Sequence, residues 1–271
     1  MTTPNTDKAF TGSVPKVYEA ELVPLIFEGY ADDLVRRVIA AAPARILEIA
    51  CGTGVVTRRL AAALPNAAIV ATDLNPAMLE EAAAVGTPRP VEWRPADASA
   101  LPFADGAFDA VVSQFGVMFF PDKAKAHAEA RRVLAPGGVY LFSVWGPLDA
   151  NPFADLVHEA VATVFPENPP RFLARAPYGY HDLDAIRRDL AAGGFASPPE
   201  IETLTLPSRA PSARRPALGY CQGSPLRAEI EARDPQRLAL ATDTAAEAIA
   251  QRFGRGAIEA TIQAHVVTVR R

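Results

Sequence analysis

The chain has few of the residues that mark the most easily read functions. Only 2 cysteines, Cys51 and Cys221, occur in 271 residues. With no export signal they read as two reduced thiols rather than as a bridge. The 4 histidines, at 127, 158, 181 and 265, show no metal-ligand spacing, so no metal centre is expected. No apolar run approaches the ~18 residues of a membrane-spanning helix. Asp7, Lys8, Lys16 and Glu19 stand where a secretory segment would be apolar. A soluble, cytoplasmic protein is expected. Positive charge is in deficit, with 27 Lys and Arg against 31 Asp and Glu and a net charge of −4. The arginine pairs at 36–37, 58–59, 131–132 and 187–188 fall on separate helical patterns. They make no basic stripe, so nucleic acid is not an expected partner. No internal repeat is present. The 25 prolines lie mostly between periodic segments, where they punctuate rather than disorder the chain.

What is present is a hydrophobic fraction of 49%, enough for one large core with an insertion. From Arg45 to Trp145, β-like runs alternate with helix-like ones: RILEIA, VVTRRLAAAL, AAIVATD, PAMLEEAAAV, VEWRPAD, FDAVVSQF, KAKAHAEARRVL and GGVYLFSVW. Alternation of this kind builds a parallel sheet covered by helices. Asn75-Pro76 offers a helix start and Pro136-Gly137-Gly138 a helix stop. Upstream, a helix broken at Pro24 and a longer amphipathic helix are expected. Downstream come a helix ended by Pro166, an irregular proline-rich and aromatic segment, and a helix stopped at Gly193-Gly194. A strand EIETLTL, a mostly helical excursion over 208–255 and a last strand ATIQAHVVTVRR follow.

In an open parallel sheet, ligands collect beyond the carboxyl ends of the strands. There the chain reads LEIACGTG, followed by Val55, Val56 and Thr57. A dinucleotide turn would carry glycine or alanine where Thr57 stands, and the spacing and lysine of a phosphate loop are absent. Three acids remain: Glu48 within the first strand, Asp73 at the end of the second, and Asp97 after the third. An acid at the second strand's end can accept from both hydroxyls of a ribose. Glu48, in an apolar strand, is costly unless something pairs with it. Together the three suit a ligand with hydroxyls, an amine and a positive charge, a cationic nucleoside, better than a pyrophosphate.

These stretches resemble those of the class I S-adenosylmethionine-dependent methyltransferases, in particular the small-molecule, ubiquinone-biosynthesis-like group. LEIACGTG is similar to the family's first motif, ATDLNPAMLEEA to its second, ADASALPFADGAFDAVVSQF to the third and fourth, and RVLAPGGVYLFSVW to the strand that follows. The resemblance implies an α/β fold: a doubly wound, seven-stranded, mostly parallel, Rossmann-like sheet whose last strand, ATIQAHVVTVRR, is antiparallel and inserted beside the fifth. It implies S-adenosylmethionine as cofactor, with S-adenosylhomocysteine as product. Glu48, Ala50, Gly52 and Gly54 would line the methionine end. Asp73 and Leu74 would hold the ribose, Met78 would flank the adenine, and Asp97 with Ala98 would meet its edge. Gln114 and Phe115 would face the methyl or the amino acid moiety, and Tyr18, with Phe27 and Tyr30, would belong to an N-terminal cover.

The expected layout is a single methyltransferase domain over 1–271. It has a helical cover at 1–44, a cofactor core at 45–146, helical lid and acceptor regions at 147–199 and 208–255, and the last two strands at 200–207 and 256–271. Plainer roles compete: Met78 as core, Asp97 as a cap on Ser99, His127 as a packed histidine. A sulfonium is an activated donor, so alignment in a dry site matters more than a catalytic triad. If the acceptor arrives protonated, His181, in the segment APYGYHDLD, is the candidate base, and Tyr178 and Tyr180 are candidate pocket walls. Phe115, Met118, Phe119 and Phe120 favour a small, partly apolar acceptor. A homodimer is left open. Two alternatives are carried: a regulator that binds S-adenosylmethionine without transfer, and an NAD-linked oxidoreductase, which Thr57 disfavours.

Overall fold

A computed structural model describes residues 10–271. The chain enters as a helical run: α1 (Val14–Val17), a π-wound stretch (Tyr18–Phe27) and α2 (Glu28–Ala40). The expected break at Pro24 does not occur. Proline lacks an N–H and crowds the carbonyl four residues back, and the wider π turn accommodates it without ending the helix.

The alternating region follows as β1 (Arg45–Ile49), α3 (Val55–Ala63), β2 (Ala68–Asp73), α4 (Pro76–Val85), β3 (Glu92–Pro95), β4 (Phe108–Gln114), α5 (Lys123–Val133) and β5 (Leu134–Trp145). Then come α6 (Pro152–Val164), the short α7 (Phe172–Arg175), α8 (Leu183–Ala192), β6 (Glu200–Ala210), α9 (Arg214–Gln222), α10 (Leu226–Arg233), α11 (Leu238–Phe253) and β7 (Ile258–Arg270). The 7-stranded sheet has the order β3-β2-β1-β4-β5-β7-β6. Strands β1 to β5 pair in parallel, and β7 runs antiparallel to β5. The expected fold class is therefore the observed one. EIETLTL and ATIQAHVVTVRR form strands, the first within β6, which runs on to Ala210, and the second in β7.

Asn75 precedes α4 with Pro76 at its first position, yet the Asn75 side chain makes no cap bond. Its amide leans 3.4 Å from Asp73 Oδ1 instead. α5 ends at Val133, before the Pro136-Gly137-Gly138 stop, and β5 pairing begins at Leu134 with an irregular register before Val139.

By packing, the chain divides into two compact units. One comprises residues 10–28, Gly146–Gly179 and Thr205–Gln263. In it Phe153 of α6 meets Phe253 of α11 edge to face at 5.1 Å. Buried Asn151 accepts from Gln263 N at 3.0 Å and donates to Pro147 O at 2.9 Å. The other comprises Gly29–Trp145, Tyr180–Leu204 and Ala264–Arg271. Its central strands β1, β4 and β5 are buried along most of their length, as a parallel sheet covered on both faces requires. Residues of the expected N-terminal cover fall in both units, dividing after Glu28.

Candidate active site

In the second unit, the chain leaving the carboxyl ends of β1 and β4 has an unusual backbone. Ala50, Gly52 and Gly54 follow β1 with φ of 55°, 56° and 83°, and Phe115 follows β4 with φ of 53°. Alanine and phenylalanine in the left-handed region cost about 1–3 kcal/mol each, so the surroundings must hold them there. Gly116 shows how tightly they do: a Cβ on it would lie 2.5 Å from Ala50 Cβ and 2.8 Å from Ser113 Oγ. The chain leaving β4 thus passes the chain leaving β1 with room only for a glycine. Phe115 lies flat on Trp145, ring centroids 3.8 Å apart and 6° from parallel. Tyr30 meets both rings edge-on, at 5.4 and 5.6 Å.

The glycine turn is fastened from β2. Asp73, 7% exposed, accepts from Gly52 N at 2.9 Å through one oxygen and from Asn75 N at 2.8 Å through the other. Burial pushes its carboxyl up, and the hydrogen bonds from Asn75, Gly52 and Leu74 pull it back. Behind the turn, Trp93 of β3 packs on Cys51, Ala71 and Leu79. A Cβ on Gly54 would come within 2.8 Å of its ring, and the φ of +83° independently favours glycine there.

Glu48 lies beneath the turn, 1% exposed. Thr57, on the first turn of α3, donates its hydroxyl to Glu48 Oε2 at 2.5 Å. Thr72 Oγ1 donates to the Glu48 carbonyl at 2.9 Å, tying β2 to β1. Burial raises the Glu48 carboxyl to about 8, opposed by the Thr57 hydroxyl and the Arg58 charge and reinforced by Asp73. Thr53, between the two glycines, is buried, and its hydroxyl oxygen has no hydrogen-bond partner among the described residues. A rim with an orphaned hydroxyl, an acid at the second strand's end and a side-chain-free turn fits a nucleoside bearing an amino acid tail.

Residues 47–142 match the family described as methyltransferase domain. Demethylmenaquinone methyltransferase of Thermus thermophilus is 36% identical over 174 residues, which are 60% of this chain and 79% of that protein. Malonyl-[acyl-carrier protein] O-methyltransferase of Geobacter sulfurreducens is 36% identical over 156 residues, 57% of each chain, so this match spans little more than half of that relative. This chain belongs to the S-adenosylmethionine-dependent methyltransferases. Among solved structures, phosphoethanolamine N-methyltransferase 2 of Haemonchus contortus in complex with S-adenosyl-L-methionine aligns with a TM-score of 0.60 at 18% identity, covering 99% of this chain and 60% of that one. At that identity the likeness speaks for the fold.

The cofactor of this methyltransferase is accordingly S-adenosylmethionine, which sets the NAD alternative aside. The other anticipated residues divide by position. Leu74, directly after Asp73, is 44% exposed, an apolar side chain left open at the rim. Met78 is buried on α4. Asp97 is exposed and does cap the turn, accepting from Ser99 N at 2.8 Å, while Ala98 beside it is buried. Gln114 ends β4, half-buried, opposite Ser143 of β5. His181 is exposed and lies two strands further along, against His265 of β7, whose ring takes part in a hydrogen bond with the His181 backbone. Tyr180 donates to Asp189 at 2.7 Å in the same unit. Tyr18 belongs to the other unit, stacked on Phe27 at 5.0 Å, as does Tyr178, whose hydroxyl lies 3.2 Å from that of Tyr220.

Thr57, Thr72, Trp93 and Gly116 shape the site and are not among the anticipated binding residues. A signal existed for Thr57, since an acid in an apolar strand demands a donor and the following helix begins with one. None existed for Trp93 or Gly116, whose roles depend on which strands become neighbours. His127 is packed as expected, against the neighbouring rings of Tyr140 and Phe142.

Proposed function

We propose that this methyltransferase modifies a small, partly apolar acceptor in the crevice at the carboxyl ends of β1, β2 and β4. The observation that carries the placement is the Asp73 clamp, one buried carboxylate fastening the Gly52 amide at the rim. In this reading Asp73 and Leu74 take the ribose, Met78 flanks the adenine, and Asp97 with Ala98 meets its edge. Glu48, Ala50, Gly52 and Gly54 receive the methionine end. S-adenosylmethionine, when bound, supplies a methyl group on a sulfonium, open to in-line displacement. Gln114 and Phe115 orient the reacting end, and the aromatic packing around Phe115 keeps water out. His181 takes the acceptor's proton where the acceptor arrives protonated.

The net charge of −4 supports a small-molecule acceptor rather than nucleic acid. Among the described residues no helix is long and apolar enough to cross a membrane, and we place the enzyme in the cytoplasm. The test is incubation with donor labelled in its methyl group and a panel of quinols, phenols, amines and acyl thioesters. Label transfer to an apolar member, slowed by His181→Ala with donor affinity unchanged, is the expected result. Tight donor binding with transfer to none would favour the second reading, a regulator that retains the ligand without the reaction.

A further inference from the structure

We propose that Trp145 and Tyr30 are positioning residues for methyl transfer, holding Phe115 in its left-handed conformation so that the exit of β4 stays in place beside the reacting group. The inference rests on reading the crevice as the S-adenosylmethionine site with Gln114 and Phe115 at its reacting end. Its starting point is a residue that local preference does not explain. At a φ of +53° the Cβ of Phe115 crowds the backbone, where glycine or asparagine would sit at less cost. Strain of this kind persists only where the neighbours over-determine it, and it gathers at functional sites.

Phe115 N donates to Ser143 O at 3.0 Å, tying the turn to β5. The flat stack of its ring on Trp145, the last residue of β5, fixes the side chain. Tyr30 of α2 closes edge-on against both rings, and its own hydroxyl is held by Leu204 O of β6 at 3.0 Å. Trp145 N donates to Met118 Sδ at 3.3 Å, so the segment beyond Phe115 is anchored to the same residue. All three rings are buried, and three ring pairs return free energy of the same order as a left-handed phenylalanine costs. Next in the chain, Gly116 is wedged against Ala50, so a shift of Phe115 moves the β4 exit against the start of the glycine turn. The turn itself is fastened separately, by Asp73 from β2. Trp145 and Tyr30 therefore act on the reacting end and spare the nucleoside end. In-line displacement makes that placement matter, since a misplacement of about 1 Å can cost about a hundredfold in rate.

The test is titration calorimetry on the full chain with two ligands. S-adenosylhomocysteine has no group where the donor carries its methyl, and sinefungin has an amine there. Trp145→Leu should weaken sinefungin about tenfold, the loss of one well-aimed polar contact, and change S-adenosylhomocysteine by less than about twofold. Trp145→Phe, which keeps a flat ring, should restore the wild-type ratio of the two affinities. Phe115→Gly supplies the left-handed φ without strain, so adding Trp145→Leu to it should leave the ratio where Phe115→Gly alone puts it. Tyr30→Phe keeps the rings and loses only the bond to Leu204 O; it should move the ratio the same way as Trp145→Leu, by less, and it serves if Trp145→Leu does not fold. A tryptophan that is merely structural would weaken both ligands alike. Equal weakening by Trp145→Leu, an unmoved ratio in Tyr30→Phe, or a ratio that Trp145→Leu still shifts in the Phe115→Gly protein overturns the proposal. So does a wild type that takes up S-adenosylhomocysteine but not sinefungin. No uptake of either ligand by wild type removes the crevice reading itself, and the proposal with it.

Discussion

Thr57 donates its hydroxyl to Glu48 at 2.5 Å, so the position that would be glycine or alanine in a dinucleotide turn instead supports a buried acid. Thr57 disfavours the dinucleotide reading on the sequence, and this contact explains its presence. The same pair also sets how the fold responds to pH.

An acid raised from 4.5 to about 8 by folding is protonated in the native state and ionised in the unfolded one between those values. The unfolded state then binds fewer protons, so stability falls with rising pH across that window, by about 1.4 kcal/mol per unit, and levels off above it. Glu48→Gln removes this loss. Denaturant titrations of both proteins should show the variant's relative stability growing from near pH 5 to near pH 8; a constant difference would contradict it.

His127 works in the opposite direction. It is buried with both ring nitrogens unpartnered among the described residues, and burial lowers it to about 4. Between about 6.5 and 4 the unfolded state binds the extra proton, so stability is lost as pH falls, again by about 1.4 kcal/mol per unit. His127→Leu should match or exceed wild type at pH 7 and lose less stability on acidification to pH 4.5, as read by thermal unfolding.

Asp73 fastens the glycine turn and, in the proposed reading, also holds the ribose; different substitutions separate the two. Asp73→Ala strands the Gly52 and Asn75 amides, and each unpaired buried group costs about 1–3 kcal/mol. Asp73→Asn keeps one acceptor oxygen and should lose less stability. Both should weaken donor binding at least tenfold, because the two hydroxyls of a ribose lose their carboxylate. A stable Asp73→Asn protein with wild-type donor affinity would leave Asp73 purely structural.

The two glycines at close approaches should differ in how they can be rescued. Gly116→Ala drives a Cβ into the Ala50 Cβ, which moves only with its backbone, and into Ser113 Oγ, a collision expected to cost about 1–3 kcal/mol and to disturb donor binding. Gly54→Ala meets the far edge of the Trp93 ring and also strains φ. Trp93→Leu should therefore recover part, but not all, of the Gly54→Ala loss in melting temperature, whereas it should leave Gly116→Ala unchanged.

Much of this arrangement is legible in the amino-acid sequence alone. α4 runs from Pro76 to Val85 between an Asn-Pro start and a glycine, signals that need no tertiary context. β1, β4 and β5 announce themselves as apolar runs because both faces of a parallel sheet are buried. The acid at each of the first two strand ends can be read because it is the exception in such a run. The π winding around Pro24 cannot, since a proline in a helical pattern ordinarily ends it. Nor can the bond from the Gly52 amide to Asp73, which depends on how β1 and β2 lie side by side. The distance of His181 from the glycine turn along the sheet is likewise set by strand order, which places β7 and β6 beyond β5.

The most direct measurement is a crystal structure of the protein with S-adenosylhomocysteine bound. The ribose hydroxyls should lie within hydrogen-bond reach of Asp73, the adenine between Leu74 and Met78, and the amino acid end over Gly52 and Gly54 near Glu48. Density for the ligand anywhere else, or a ribose that leaves Asp73 untouched, would contradict the account.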